Sequence, residues 1–303
     1  MEMMNKIMAL FMSIAAFFSG LITDFGTTVA DFRDSLFPPS VIADFEEKDA
    51  DAIRVMSFNI RYGDLGTLTA EDRYDDVEAV IEKGRPDSIG LQEATPEWMA
   101  YLKENLEDYA YVGVGRDDGV NAGEYAAIFY LKDKYTAVDS GTFWLSDTPD
   151  VPSMGWGADC YRICTWVVLE NKETKETYVH MNAHFDFAND DVRYNSGKMI
   201  NAKAKEFGDI PVVYTADMNF SEDSVYYNAF IEGGVFSDTK DVAEDTMDYL
   251  TYHDRMPMTH KDSVIDFIMI NDAFDADVYR VVTADNGHYV SDHFPLYADI
   301  TIK

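Results

Sequence analysis

Six short islands along this 303-residue chain carry an acid, an amide or a histidine at or next to their ends. They are Ser57-Phe58-Asn59, Leu91-Gln92-Glu93, Asn182-Ala183-His184-Phe185-Asp186, Ala216-Asp217-Met218-Asn219, Ile265-Asp266-Phe267 and Ser291-Asp292-His293. Carboxylate and amide oxygens suit a hard cation such as Mg²⁺. Histidines with carboxylate partners are what hydrolytic chemistry beside such a cation would use. Glu93 reads either as a metal ligand or as a surface carboxylate. Asn59 reads as a turn residue unless Glu93 lies beside it, and then as a ligand or phosphate contact. Asp217 and Asn219 are one residue apart, so on an extended segment both face the same way; a carboxylate there can take a proton from water while the amide holds it. The other reading of that pair is an Asx turn. His184 and Asp186 share the spacing, and His184 could donate to a developing negative oxygen. Asp266 in a strand needs a partner, and His293 is the natural one, since an aspartate fixes an imidazole's tautomer and raises its basicity. His180, His253, His260 and His288 have no comparable context.

What positions these islands is a series of strands. Most islands follow runs of strand formers: Ile53 to Met56, Ser88 to Leu91, Thr177 to Met181, Pro211 to Thr215 and Val264 to Ile265. Strands are expected over 53–60, 88–92, 109–114, 125–131, 135–143, 165–170, 178–183, 212–216, 265–271, 276–283 and 296–301. Helices are expected over 70–83, 96–106, 191–206 and 224–231. Thr69 and Thr95 are the expected N-caps of the first two, Pro96 sits in a first turn, and Gly84 lies just beyond a helix end. This mixture predicts an α/β fold, two sheets packed face to face with helices outside, with functional residues in the loops at one end.

Residues 52–303 contain no linker, repeat or low-complexity tract, so one domain is expected there. Lys and Arg total 24 against 56 Asp and Glu, a net charge of −32. A protein that holds duplex DNA neutralises several phosphates with Lys and Arg, and no basic run exists here to do so, which disfavours nucleic acid without excluding a local basic patch. Cys160 and Cys164, if on one strand, lie ~13 Å apart, too far for a disulfide, and their spacing does not suit zinc. Ile7 to Thr23 is apolar after Lys6. Such a stretch, roughly 25 Å as a helix, resembles a signal-peptide core or a short membrane anchor. Residues 1–30 are therefore expected to be a signal peptide or anchor and 31–51 an acidic connector. The product would be exported, either secreted or held at a membrane by its N-terminus.

The islands read SFNIR, LQE, NAHFD, ADMN, IDFIMI and SDHFP, and in this order they resemble the endonuclease/exonuclease/phosphatase superfamily, over roughly residues 52–303. A bacterial subgroup looks closer still, through Gly141 to Pro149 (GTFWLSDTP) and Tyr161 to Trp166 (YRICTW). The resemblance implies a four-layer α/β sandwich of the deoxyribonuclease I-like type, two packed mixed β-sheets flanked by helices. It also implies a divalent metal, Mg²⁺ or alternatively Mn²⁺. Carried over by motif, Glu93 would be the main metal ligand with Asn59 and Asp292 beside it. Asp217 would orient or deprotonate the attacking water, and Asn219 would hold water or phosphate. His184 would bond a phosphate oxygen, and His293, oriented by Asp266, would act as base or stabilise the transition state. Arg162 suits a phosphate oxygen through its planar fork, the alternative being a surface strand residue. Trp144 lines the substrate site or belongs to the core. Two positions depart from the family pattern, Ala216 for a Gly and Phe187 for a second His, and the inositol phosphatase signature is absent. The expected activity is metal-dependent hydrolysis of a small or lipid-linked phosphoester; the alternatives are a nuclease and a catalytically silent binding module.

Overall fold

The alternation of side chains along the central strands decides the architecture. In the computed structural model residues 44–254, 263–283 and 289–303 are described, and residues 43–303 form one compact unit. The strands are β1 (Ile53–Asn59), β2 (Ser88–Ala94), β3 (Tyr109–Val112), β4 (Tyr125–Leu131), β5 (Tyr135–Trp144), β6 (Ile163–Asn171), β7 (Thr177–His184) and β8 (Val212–Asp217). The later ones are β9 (Ser237–Asp238), β10 (Asp245–Thr246), β11 (Asp266–Ile270), β12 (Phe274–Val281) and β13 (Leu296–Ile302). The helices are α1 (Tyr74–Gly84), α2 (Pro96–Asn105), α3 (Asp190–Glu206), α4 (Val225–Ile231) and the short α5 (Thr239–Val242). One mixed sheet runs β10-β12-β13-β1-β2-β4-β3, the other β5-β6-β7-β8-β11-β9.

Each central strand is buried on both faces. In β1, Met56 and Phe58 join Val77, Ile81, Trp98 and Leu102 beneath α1 and α2, while Ile53 and Val55 face Val213, Ile268 and Leu169 of the other sheet. In β7 and β8, Val179, Met181, Tyr214 and Ala216 pack with Ile200, Ala204 and Phe230 of α3 and α4. Helix, sheet, sheet and helix thus form four layers, the α/β sandwich expected. The middle layer changes character along its length. Ile53 and Val55 give way to Ser57 and Asn59, and Val213 to Thr215 and Asp217, with all seven buried. Here Asn182 donates to Leu91 O (2.9 Å) and Ala127 O (3.0 Å), and Gln92 donates to Asn182 Oδ1 (2.7 Å). His180 is satisfied by Ser88 Oγ (2.8 Å) and Thr215 Oγ1 (2.9 Å), and burial lowers its pKa to about 3. The polar end of this layer opens into the cleft described below.

Several local expectations are corrected. Residues 70–83 are not one α-helix: a 3₁₀ turn over Glu71–Arg73 precedes α1. Thr69 and Asp72 cap each other across that turn, and the buried Arg73 guanidinium donates to the carbonyls of Ile60, Arg61, Gly63 and Val290. Gly84 ends α1 from within, and Arg85 takes the left-handed position beyond it. Thr95 caps α2 as expected, through Trp98 N. β3 stops at Val112 because Gly113 follows at φ +130°. Cys160 precedes β6 and Cys164 lies within it, both as free thiols. Residues 44–51, expected to belong to the acidic connector, lie on the domain: Lys48 reaches Asp87 (2.6 Å) and Phe45 packs on Tyr297. The apolar N-terminal segment, His260 and His288 lie outside the described residues. Among the described residues no helix is long and apolar enough to cross a membrane.

Candidate active site

The C-terminal ends of β1, β2, β7 and β8 and the start of β11 reach one rim of the sandwich, where a cleft of about 580 Å³ opens. A register shift between β2 and β4 after Leu91 turns Glu93 into it, at φ +61°. Arg61 (φ +58°) and Asn219 (φ +51°) are also left-handed. Outside glycine this conformation costs roughly 1–3 kcal/mol and tends to cluster at functional sites.

Asn59 Nδ2 donates to Glu93 Oε1 (3.0 Å) and to Asp217 Oδ2 (2.8 Å), and its own Oδ1 accepts from Arg61 N (3.0 Å). Asn59 therefore spaces two carboxylates in this geometry and keeps its oxygen on the backbone. Glu93 Oε2 accepts from Tyr62 N (2.9 Å), and Asp217 Oδ1 accepts from Asn219 N (3.0 Å). Asn219 Nδ2 donates to Phe185 O (3.0 Å) and lies 3.0 Å from His184 Nε2. Its second hydrogen thus falls to that ring nitrogen, which leaves the His184 proton on Nδ1, 3.9 Å from Glu124 Oε2. Burial, then Arg162 and Arg116, hold the His184 pKa well below its ordinary value, so the ring is neutral.

The second half of the site is an aspartate–histidine pair. His293 Nδ1 lies 2.8 Å from Asp266 Oδ2, which also accepts from Thr251 Oγ1 at 2.7 Å. Burial would lower the His293 pKa, but the Asp266 carboxylate, with Asp217 and Asp292, outweighs it and raises the value to about 10. His293 Nε2 faces Asp217 Oδ2 at 3.8 Å. Asp217 is pushed up to about 7 by burial and by Asp266, with His293 and Asn59 opposing. Asp292 lies 3.5 Å from the Arg61 guanidinium.

Glu93, His184 and Asp217 offer ligand atoms within 4.8 Å of one another, as do Asp217, Asp266 and His293. The protein's own groups leave negative charge in excess: Asp217 is pushed toward keeping a proton at neutral pH. Clustered carboxylate oxygens with such an imbalance fit a hard divalent cation on the Glu93–Asp217 side.

Of the residues singled out in the sequence, Glu93, His184, Asp217, Asn219, Asp292, His293 and Arg162 line the cleft, and Asn59 and Asp266 hold them from behind. Arg162 is buried, its Nε and Nη1 make no hydrogen bond, and Asp186 lies 3.7 Å from Nε. Trp144 is corrected: it does not line the cleft. It is buried against Ala126 and Ile163, and its Nε1 donates to Arg116 O (2.7 Å). Sequence reasoning missed Glu124, Arg116, Arg61 and Thr251. Glu124 immediately precedes β4, which runs antiparallel to β2, so the beginning of β4 lies at the rim where β2 ends. A search confined to strand ends passes over it. Arg116 clamps Glu124 through two 2.8 Å hydrogen bonds.

A two-sheet α/β sandwich that carries carboxylates, amides and histidines at one rim belongs to a small class of folds. The chain is a member of the endonuclease/exonuclease/phosphatase family, whose profile matches residues 56–293. It is similar to the crystal structure of an endonuclease/exonuclease/phosphatase from Bacteroides vulgatus, at 35% identity and TM-score 0.79, over 83% of this chain and 99% of that one. It is similar to a mannosyl-6-phosphatase of Bacteroides thetaiotaomicron, at 32% identity and TM-score 0.77, over 82% of this chain and 100% of that one. An uncharacterized protein of Acanthamoeba polyphaga mimivirus is 26% identical over 241 residues, 75% of this chain and 90% of its own.

Proposed function

We propose that this chain is a divalent-metal-dependent hydrolase of a small phosphomonoester, cleaved by in-line attack of an activated water. The observation that carries the reading is the convergence of Glu93, His184 and Asp217 with the Asp266–His293 pair in one cleft. Similarity to a mannosyl-6-phosphatase supports a small monoester. So does the cleft's electrostatics: Arg61, Arg116 and Arg162 each face a carboxylate, and no lysine is among its described lining residues. A groove for nucleic acid needs cations free to meet phosphates.

Glu93 would hold Mg²⁺ or Mn²⁺, with Asp292 beside it and Asn59 joining once its amide turns. When bound, the cation would polarise the phosphoryl group and offset its charge. Asp217, poised near neutrality, takes the proton as the water oxygen bonds to phosphorus and the bond from phosphorus to the leaving oxygen breaks. Asn219 fixes the Asp217 carboxylate. Arg162 turns its unused donors on a phosphate oxygen. Neutral His184 offers its one proton to a second. His293, protonated at neutral pH, stabilises the developing charge and can protonate the leaving oxygen.

A panel of phosphoesters assayed with Mg²⁺ and with EDTA tests this. Turnover of a small monoester is expected to require the metal. Glu93→Gln should raise the Mg²⁺ concentration for half-maximal turnover at least ~10–100-fold, and His293→Ala should lower kcat on the order of 10²–10⁴-fold. Unchanged turnover in both purified variants would sink the assignment.

A further inference from the structure

Phe187 is the most exposed of the large aromatic side chains among the described residues, at 66% of its full surface, and it lines the cleft. Single exposed apolar residues are ordinary. What sets this one apart is the backbone that carries it. Asp186 Oδ1 accepts from Ala188 N (2.9 Å) and Asn189 N (2.8 Å), and Arg193 Nη1 donates to Asp186 O (3.1 Å) and Phe187 O (2.6 Å). The loop is tied down on both sides of a ring that stacks on no other ring of the described residues. Asp159 lines the same cleft, is exposed, and makes no hydrogen bond or ion pair to a described residue. Tyr62, half-exposed, adds a second aromatic to the cleft wall and is fixed through its N–H on Glu93.

An exposed aromatic face on a tied-down loop and an unengaged carboxylate, both lining one cleft, make a specific chemical offer. The face takes a flat apolar surface, and the carboxylate only accepts hydrogen bonds. A hydroxylated ring meets both, with C–H bonds on one face and O–H donors at its edge. A nucleobase would gain the stacking but would present acceptors to the carboxylate as often as donors, and further phosphates would meet more negative charge. An acyl chain would need a continuous apolar surface, whereas Phe187 and Tyr62 share the cleft lining with charged groups such as Glu93, Arg116, Glu124 and Asp159.

We propose that Phe187 and Asp159 determine specificity by holding the leaving group, and that this group is a hydroxylated ring, so that the substrate is a phosphorylated sugar or cyclic polyol. The inference rests on the phosphomonoesterase reading above. It is tested by measuring kcat/KM with saturating Mg²⁺ for a hexose 6-phosphate, for glycerol 3-phosphate, which has no ring, and for a nucleoside monophosphate. Wild type, Phe187→Ala, Phe187→Tyr and Asp159→Asn are compared. Wild type should prefer the hexose phosphate. Phe187→Ala should lower the hexose-to-glycerol ratio about tenfold, chiefly through KM, as expected for lost apolar contact outside the reacting bond. Phe187→Tyr should restore the ratio, and Asp159→Asn should lower it. A ratio unchanged in both Phe187→Ala and Asp159→Asn overturns the proposal while leaving the hydrolase reading intact, as does a wild-type preference for the nucleotide. Failure of the wild-type protein to cleave any of the monoesters with Mg²⁺ overturns both.

Discussion

His293 shows how far a neighbour can set a side chain's chemistry. Burial by itself favours the neutral imidazole, yet Asp266 at 2.8 Å raises the pKa to about 10. Thr251 donates to the same carboxylate oxygen and holds it in place. Replacement by Asp266→Asn removes the charge and leaves the burial, so the His293 pKa should fall by several units, to or below the ordinary histidine range near 6.5. NMR titration of the ring protons in the two metal-free proteins measures this directly; an unshifted titration would assign the elevation elsewhere. The sign carries into stability. A histidine whose folded pKa is raised adds stability that is fully present below about pH 6.5 and is lost as pH rises through about 10. The stability gap between wild type and Asp266→Asn should therefore be widest in mild acid and narrow at alkaline pH. The partnership between Asp266 and His293 is legible in the sequence because a strand aspartate needs a partner. Thr251 is not, since a threonine in an irregular segment carries no pattern of its own.

At the scale of elements, the sheets form from strands that alternate between two buried faces, and the site is the polar end of the face they share. Gly90 shows how tightly that layer closes. A Cβ there would stand 2.1 Å from Thr215 Oγ1 and 2.6 Å from Asn182 Oδ1, atoms that are hydrogen-bonded to each other and, through Asn182, to Gln92. Gly90→Ala must spread the sheets or break this network. The expected cost of such overpacking is about 1–3 kcal/mol, a fall in Tm of roughly 3–10 °C, readable by calorimetry. A Tm equal to wild type would mean the layer is looser than its distances imply. Strand runs and helix caps are written in local residues, so most elements are legible within a residue or two. Glu124 is not, because its place depends on the antiparallel pairing of β4 with β2. Nor is the break before α1, which follows from Arg73 reaching the distant Val290 carbonyl. Trp144 was ambiguous for the same reason: only the tertiary fold says whether a tryptophan at a strand end faces a cleft or a core.

The whole molecule carries 24 basic against 56 acidic residues, a net charge of −32. A field of that sign opposes the approach of a phosphate dianion, while the local guanidinia of Arg61, Arg116 and Arg162 are largely answered by carboxylates. Raising ionic strength from 10 to 150 mM shortens the screening length from ~30 to ~8 Å. At saturating Mg²⁺, kcat/KM for a dianionic monoester should therefore rise with salt, with kcat unchanged, because repulsion acts on encounter rather than on bound substrate. An enzyme built to grip a polyanion behaves oppositely, losing affinity steeply as counterions return to the phosphates. The slope of kcat/KM against salt thus reports which charge the substrate meets: upward for the acidic surface, downward if the cleft arginines dominate. A downward slope would mean that the cleft's positive charge, its arginines together with the bound cation, outweighs the acidic surface, and would reopen nucleic acid as the substrate.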